Sequence, residues 1–126
     1  MYSDKVLQLF ANPKNVGMLK GSNGVGEAGK ADEGAYMKLY ILVDSDIILN
    51  AKFKAFGGVS MICAGSVATQ LIKGKSIDEA LTIKVEDINN VLELPENMLK
   101  SCEIAQQSII SAIKEYYKRK EKENKN

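Results

Sequence analysis

The feature that most constrains the fold is a pair of strand-like segments separated by three polar residues. Both segments, Tyr36–Val43 and Ile47–Phe56, are rich in branched and aromatic residues, which favour β-strands. The intervening Asp44-Ser45-Asp46 suits a tight turn. Apolar residues alternate with lysines in the second segment, so one face is predicted to be buried and the other solvated. The sequence therefore predicts an antiparallel hairpin whose helices cover one face.

The remaining segments predict one further strand and several helices. Their predicted positions are a short helix from Ser3 or Asp4 to Asn12, a weak edge strand over Gly24–Lys30, a buried helix from Val59 to Gly74, short helices capped near Ser76 and Lys84, and a long helix over Glu96–Lys118. The predicted fold class is α+β: a three-stranded antiparallel sheet with helices packed on one face and a long C-terminal helix.

Length and charge limit the classes of function. The 126 residues, 45% of them hydrophobic, fit a single domain over residues 1–119, followed by a charged tail at 120–126 that is predicted to be disordered. A formal charge of +1 does not favour nucleic acid as a partner. No stretch approaches the roughly 20 apolar residues that span a bilayer, and no signal segment is recognised, so no membrane partner and a cytoplasmic location are expected.

The absence of histidine removes much of hydrolase chemistry. With no histidine, the chain has no Ser-His-Asp or Cys-His pair and no histidine-ligated zinc. The two cysteines, Cys63 and Cys102, are expected to be free thiols, and each falls on an apolar helical stripe. A cysteine-based enzyme is therefore the weakest of the open alternatives, and the chain is predicted to be non-catalytic.

A glycine-rich fingerprint in the first quarter of the chain is a misleading signal. The segment Gly24–Gly29 matches the GxGxxG spacing of dinucleotide-binding loops. That mechanism needs a strand before the glycines and a helix after them, because the pyrophosphate sits at the helix N-terminus. No strand precedes this segment and a strand follows it, so nucleotide binding is not favoured.

Several segments in combination resemble one known family. They are YSDKVLQLFANPKNVG at the start, then MKLYILV, IILNAKFKAFG, LIKGKSIDEAL and LELP. On these motifs the chain resembles the IscU/NifU N-terminal iron–sulfur cluster assembly scaffolds over nearly its whole length. The resemblance implies a cytoplasmic α+β scaffold on which iron and sulfur, the latter delivered by a cysteine desulfurase, are assembled into an iron–sulfur cluster. Only Leu94-Pro95 match the motif that a dedicated Hsp70-type chaperone recognises in some members, so that partner is not carried over.

The resemblance also implies ligand positions, and this chain departs from the family at each. The first family cysteine falls on Glu33 and the aspartate that follows it falls on Ala35. The second cysteine falls on Gly58, and the His-Cys pair of the last helix falls on Lys100 and Ser101. The inherited thiolate chemistry therefore lacks its ligands.

Three hypotheses remain open from the sequence. In the first, a scaffold-family protein holds iron or zinc at a relocated site built from Glu33, Cys102, Asp32 and Cys63, since a carboxylate can replace a thiolate as a ligand. In the second, a metal-free interaction or regulatory module docks a cysteine desulfurase or another partner. The third is the cysteine-based enzyme. Against the first stands the interpretation of both thiols as small core hydrophobes.

Overall fold

A computed structural model describes residues 2–124, and the predicted hairpin is at its centre. Strands β2 (Ala35–Asp44) and β3 (Ile47–Phe56) pair antiparallel. The two residues between them, Ser45 and Asp46, have φ values of 52° and 63°. Positive φ at both central residues is typical of the two-residue turns that match the twist of a hairpin. The predicted hairpin is confirmed.

A third strand completes the sheet, and its bounds are those predicted. Strand β1 (Gly24–Lys30) pairs antiparallel with β2, which gives the order β1-β2-β3. Leu39 in the middle strand lies between Gly26 of β1 and Phe53 of β3, and all three are buried. Because side chains alternate along a strand, this register gives the sheet one apolar face.

Five α-helices in residues 2–124 complete the fold. They are α1 (Asp4–Ala11), α2 (Val59–Ile72), α3 (Ile77–Leu81), α4 (Val85–Leu92) and α5 (Lys100–Asn124). Ser3 caps α1, and Ser76 with Glu79 forms the predicted capping box of α3. The predicted α+β class, with helices on one face and a long C-terminal helix, is confirmed. No helix in residues 2–124 combines the length and apolarity needed to cross a membrane.

The bounds of the last helix differ from the prediction at both ends. A 3₁₀ turn over Glu96–Met98 precedes α5, which begins at Lys100. At the other end α5 continues to Asn124, so the prediction of an end at Lys118 is wrong. Residues 120–124, of which 120–123 are charged, are helical and exposed, while Lys125 and Asn126 lie outside the described residues. An ion pair from Arg119 to Glu115 at 2.8 Å, with i,i+4 spacing, stabilises this polar end of the helix.

Edge strand β1 is covered by α5. The Val25 N–H donates to Glu115 Oε1 at 2.9 Å, and the Glu27 N–H donates to Ser111 Oγ at 3.3 Å. These bonds satisfy backbone donors that an edge strand would otherwise expose for pairing with another chain. At Gly26 the helix backbone is so close that an added Cβ would lie 2.2 Å from the Ala112 nitrogen. The glycine-rich segment thus serves close packing between strand and helix.

Candidate functional site

Three segments meet at one end of the molecule. The 3₁₀ turn Ala31–Glu33 leads into β2, a glycine turn joins β3 to α2, and α5 begins nearby. A Cβ built on Gly57 would lie 3.1 Å from the Gly34 carbonyl oxygen, so the first two segments are in contact. The hydroxyls of Ser60 in α2 and Ser101 in α5 are 2.7 Å apart, which joins the second segment to the third.

A cavity of about 260 Å³ opens between the first and third segments. Three of the five positions that the resemblance assigns to ligands line it: Glu33, Ala35 and Lys100. The remainder of the lining consists of Gly29, Lys30, Ile104 and Gln107. The lining therefore carries two cationic side chains, one carboxylate, one amide and one large apolar side chain.

Glu33 is engaged weakly at the rim of this cavity. Its carboxylate lies 3.6 Å from Lys30 Nζ, and both side chains are about 70% exposed. An ion pair this exposed is worth at most about 1 kcal/mol, because solvent screens it. Its neighbour Asp32 is also exposed, and Asp32 does not line the cavity. Glu33 is therefore held in place by its backbone turn more than by its charge.

The other family positions offer no anionic ligand. Gly58 is the exposed N-cap residue of α2, with a φ of −82° and open space where a Cβ would stand. Ser101 is buried and shares its hydrogen bond with Ser60. Lys100 presents an ammonium group, which repels a metal cation. Ser101 therefore joins α2 to α5, and its hydroxyl is already engaged.

Both thiols are fully buried away from the cavity. The Cys63 thiol donates to the Val6 carbonyl oxygen at 3.3 Å, beneath α1. Burial raises the pKa of the Cys63 thiol. Burial, with a smaller contribution from the Glu103 carboxylate, raises the pKa of the Cys102 thiol to about 11. Neither thiol forms a thiolate near neutral pH, so neither is a ready metal ligand or nucleophile.

The structure does not bring together the four residues of the relocated metal site. Glu33 and Asp32 are exposed, whereas Cys63 and Cys102 are in the core. In residues 2–124, no group of three or more cysteine, aspartate or glutamate side chains is spaced to hold a metal ion. The sequence places Cys102 one position after a family ligand position, but one step along a helix turns the side chain by about 100°.

These residues do not fit an iron–sulfur cluster. Such clusters are held by cysteine thiolates, sometimes with histidine. The lining of the cavity contains no thiol, and the chain contains no histidine.

Two side-chain contacts at this end of the molecule were not predicted: the Lys30–Glu33 ion pair and the Ser60–Ser101 hydrogen bond. Lys30 could have been found from its i,i+3 spacing to Glu33, whereas no local pattern pairs Ser60 with Ser101 across 41 positions.

Solved structures identify the class of fold. A nitrogen-fixing NifU-like protein (N-terminal) from Brucella abortus superposes with a TM-score of 0.76 at 12% identity, over 92% of this chain and 94% of that chain. A putative iron–sulfur cluster assembly scaffold protein for the SUF system from Fervidobacterium islandicum superposes with a TM-score of 0.70 at 22% identity, over 88% and 95%. At these identities the comparisons show that this chain has the NifU-type fold.

Sequence comparison then gives the family. The model of the NifU-like N terminal domain matches residues 1–123. The iron–sulfur cluster assembly scaffold protein IscU of Escherichia coli is 40% identical over 124 residues, covering 95% of this chain and 97% of that protein. The iron–sulfur cluster assembly protein IscU of Plasmodium falciparum is 44% identical over 118 residues, covering 91% and 73%. This chain belongs to the NifU-like N-terminal domain family, and the predicted resemblance is confirmed.

Proposed function

We propose that this chain acts in iron–sulfur cluster assembly as a scaffold-family protein that docks assembly partners, without holding a cluster at the family ligand positions. The names of its relatives and its NifU-type fold support the assembly process. The role we propose is non-catalytic, and the burial and raised pKa values of the Cys63 and Cys102 thiols support it, because neither is a ready nucleophile.

One observation supports this proposal: three segments meet at one end of the molecule, and the positions that the resemblance assigns to cluster ligands carry no thiol there. The three segments that bear the ligand positions are held together by packing and by the Ser60–Ser101 hydrogen bond. At those positions stand side chains that cannot replace a set of thiolates. A protein with this combination has a surface for partners but lacks the thiolates that bind an iron–sulfur cluster.

A cysteine desulfurase is the partner that the family suggests. Transfer of sulfur from such an enzyme forms a persulfide on an accessible thiolate of the acceptor. Cys63 and Cys102 are buried with raised pKa values, so they do not serve as acceptors in the folded protein. Docking without sulfur acceptance is therefore the expected behaviour of this chain.

The first experiment is anaerobic reconstitution with ferrous iron and sulfide, followed by iron analysis and absorption spectroscopy. The wild-type chain is expected to retain no stoichiometric cluster after desalting. A triple variant, Glu33→Cys, Gly58→Cys and Ser101→Cys, is the matched positive control, because Gly58 has room for a side chain and Ser101→Cys is nearly isosteric. Circular dichroism and a thermal melt establish that this variant is folded.

The outcomes are distinct. Stoichiometric iron in the wild type would overturn the proposal, and its loss in Cys102→Ala would restore the relocated site. A folded triple variant that binds no iron would show that the three segments no longer form a ligand cradle.

The second experiment measures docking with the cysteine desulfurase of the same organism. Titration calorimetry is expected to show a saturable complex with the wild type. Mass spectrometry after incubation with desulfurase and cysteine is expected to show no added sulfur atom on the wild type and added sulfur on the triple variant. Absence of any complex would remove the docking role.

A further inference from the structure

A second, larger cavity lies outside the candidate site. Its volume is about 480 Å³, and it opens between α1, α2 and α4. Ligand sites commonly occupy clefts of about 300–1,000 Å³ with an apolar body and a few converging polar groups. The floor of this cavity is aliphatic, from the half-buried Leu9 and Val91. Its other lining residues are polar: Lys5, Gln8, Asn12, Lys14 and Gln70.

One face of α1 supplies most of this lining. Lys5, Gln8, Leu9 and Asn12 are spaced i, i+3, i+4 and i+7, so they share one stripe along α1 and its C-cap. Along this stripe only Leu9 is apolar and half-buried, whereas Lys5, Gln8 and Asn12 are exposed where they border the cavity. Val6, on another face of α1, makes the contact with the core. The stripe thus places exposed polar groups beside a half-buried apolar side chain at the border of the cavity.

Lys14 is held towards the cavity by a rigid segment. Its N–H donates to the buried Ser66 hydroxyl at 3.1 Å. The next residue, Asn15, has a φ of 62°, and its side-chain amide donates to Thr69 Oγ1 at 3.0 Å. The Asn15 carbonyl also accepts from the Phe53 N–H at 2.9 Å. Backbone held in the left-handed region by several contacts presents Lys14 without further ordering.

The charge of the cavity is uncompensated. Neither Lys5 nor Lys14 forms an ion pair with another described residue, and no aspartate or glutamate lines the cavity. The three amides from Gln8, Asn12 and Gln70 can each donate hydrogen bonds. We infer that this cavity binds an aliphatic carboxylate, with the carboxylate between the two ammonium groups and the carbon chain over Leu9 and Val91.

That chemistry has two sources: a short free acid, or a glutamate side chain flanked by apolar residues in a partner protein. Both present a carboxylate at the end of an aliphatic chain. The inference does not rest on the proposed function, because the cavity shares no lining residue with the candidate site.

The test is a nuclear magnetic resonance titration of the full chain, labelled with ¹⁵N, with sodium hexanoate. Saturable shifts are expected at the amides of Lys5, Gln8 and Val91. The double variant Lys5→Gln/Lys14→Gln is expected to bind hexanoate roughly 4- to 25-fold more weakly, since each exposed ion pair contributes roughly two- to fivefold. The matched control, Lys118→Gln/Lys122→Gln on α5, removes the same charge and is expected to leave the affinity unchanged.

Three further measurements complete the test. Hexanol, which lacks the charge, is expected to bind more weakly than hexanoate, and Lys5→Arg/Lys14→Arg is expected to keep most of the affinity. A capped peptide with glutamate between leucines distinguishes the two sources, and the same peptide with glutamine is its uncharged control. Tighter binding of the glutamate peptide than of hexanoate assigns a protein partner. Tighter binding of hexanoate assigns a free acid. Shifts that persist in Lys5→Gln/Lys14→Gln, or equal binding of hexanol, would overturn the inference.

Discussion

Replacing Gly26 by alanine tests whether α5 lies directly on β1. A Cβ at this position would be 2.2 Å from the Ala112 nitrogen, 2.6 Å from the Ser111 carbonyl carbon and 2.7 Å from the Ser108 carbonyl oxygen. Ordinary contacts begin near 3.4 Å, so about 1.2 Å of separation must be gained. All three obstructing atoms belong to the helix backbone, and no side-chain rotation relieves them.

The magnitude follows from two opposing effects. Overpacking a well-packed interface costs about 1–3 kcal/mol, and a contact with rigid backbone belongs at the upper end. Alanine in place of glycine recovers about 0.5–1 kcal/mol, because it restricts the unfolded chain. The net expected loss is about 2 kcal/mol in the free energy of unfolding. For a domain of this size that corresponds to a fall in Tm of about 8 °C.

Urea denaturation followed by circular dichroism measures this loss, and Gly58→Ala is the matched control. At Gly58 the φ is −82° and no atom lies within 4 Å of the added Cβ. The entropic gain there and the weaker N-capping of alanine nearly cancel, so Gly58→Ala is expected to change stability by less than about 0.5 kcal/mol. If Gly26→Ala were as stable as Gly58→Ala, the direct contact between α5 and β1 would be refuted.

Two further predictions concern the buried hydroxyl pair and the buried thiol. Ser101→Ala is expected to cost about 1 kcal/mol of unfolding free energy in urea, because it removes the partner of Ser60, and Ser60→Ala/Ser101→Ala is expected to recover part of that cost. An equal loss in both variants would argue against the pair. Burial raises the pKa of the Cys102 thiol from 9.0 to about 11, so unfolding releases a proton between these pH values. The contribution of the protonated, buried Cys102 thiol to the free energy of unfolding is therefore complete below pH 9 and is lost as the pH rises towards 11. Between pH 8 and 10.5 the wild type should lose about 2 kcal/mol more than Cys102→Ala, and parallel losses would contradict the assignment.

Local patterns sufficed for the sheet because its strands are specified by short-range physics. The period-two alternation and the Ser45-Asp46 turn act within a few residues, and β3 was predicted with its observed bounds. The C-terminal end of α5 was mispredicted because the prediction considered only that the last residues are charged, and not how they are spaced. Two contacts with i,i+4 spacing lie there: the Glu115–Arg119 ion pair, and Lys120 Nζ at 5.7 Å from the centroid of the Tyr116 ring. Both contacts favour continuation of the helix.

The site was predictable in outline and unpredictable in detail for a related reason. Topology alone brings the start of β2, the β3–α2 turn and the start of α5 to one end of the molecule. The direction of individual side chains depends on long-range packing. Ser101 and Cys102 are adjacent in sequence, yet Ser101 meets Ser60 of α2 while Cys102 joins the apolar core. A prediction based on nearness in sequence treats them as interchangeable.

The packing around Gly58 bears on why the ligands are missing. If the fold excluded a side chain there, the absent thiol would be a structural necessity, as a side chain larger than hydrogen is excluded at Gly26. Gly58 has an ordinary φ and open space beside it, so a cysteine would fit without strain. Stability therefore does not require glycine at this position, and the Ser60–Ser101 hydrogen bond joins α2 to α5 without a thiol at position 101. Segments that are held together without thiol ligands suit the docking of a partner, which needs a defined surface, and do not suit cluster binding, which needs thiolates.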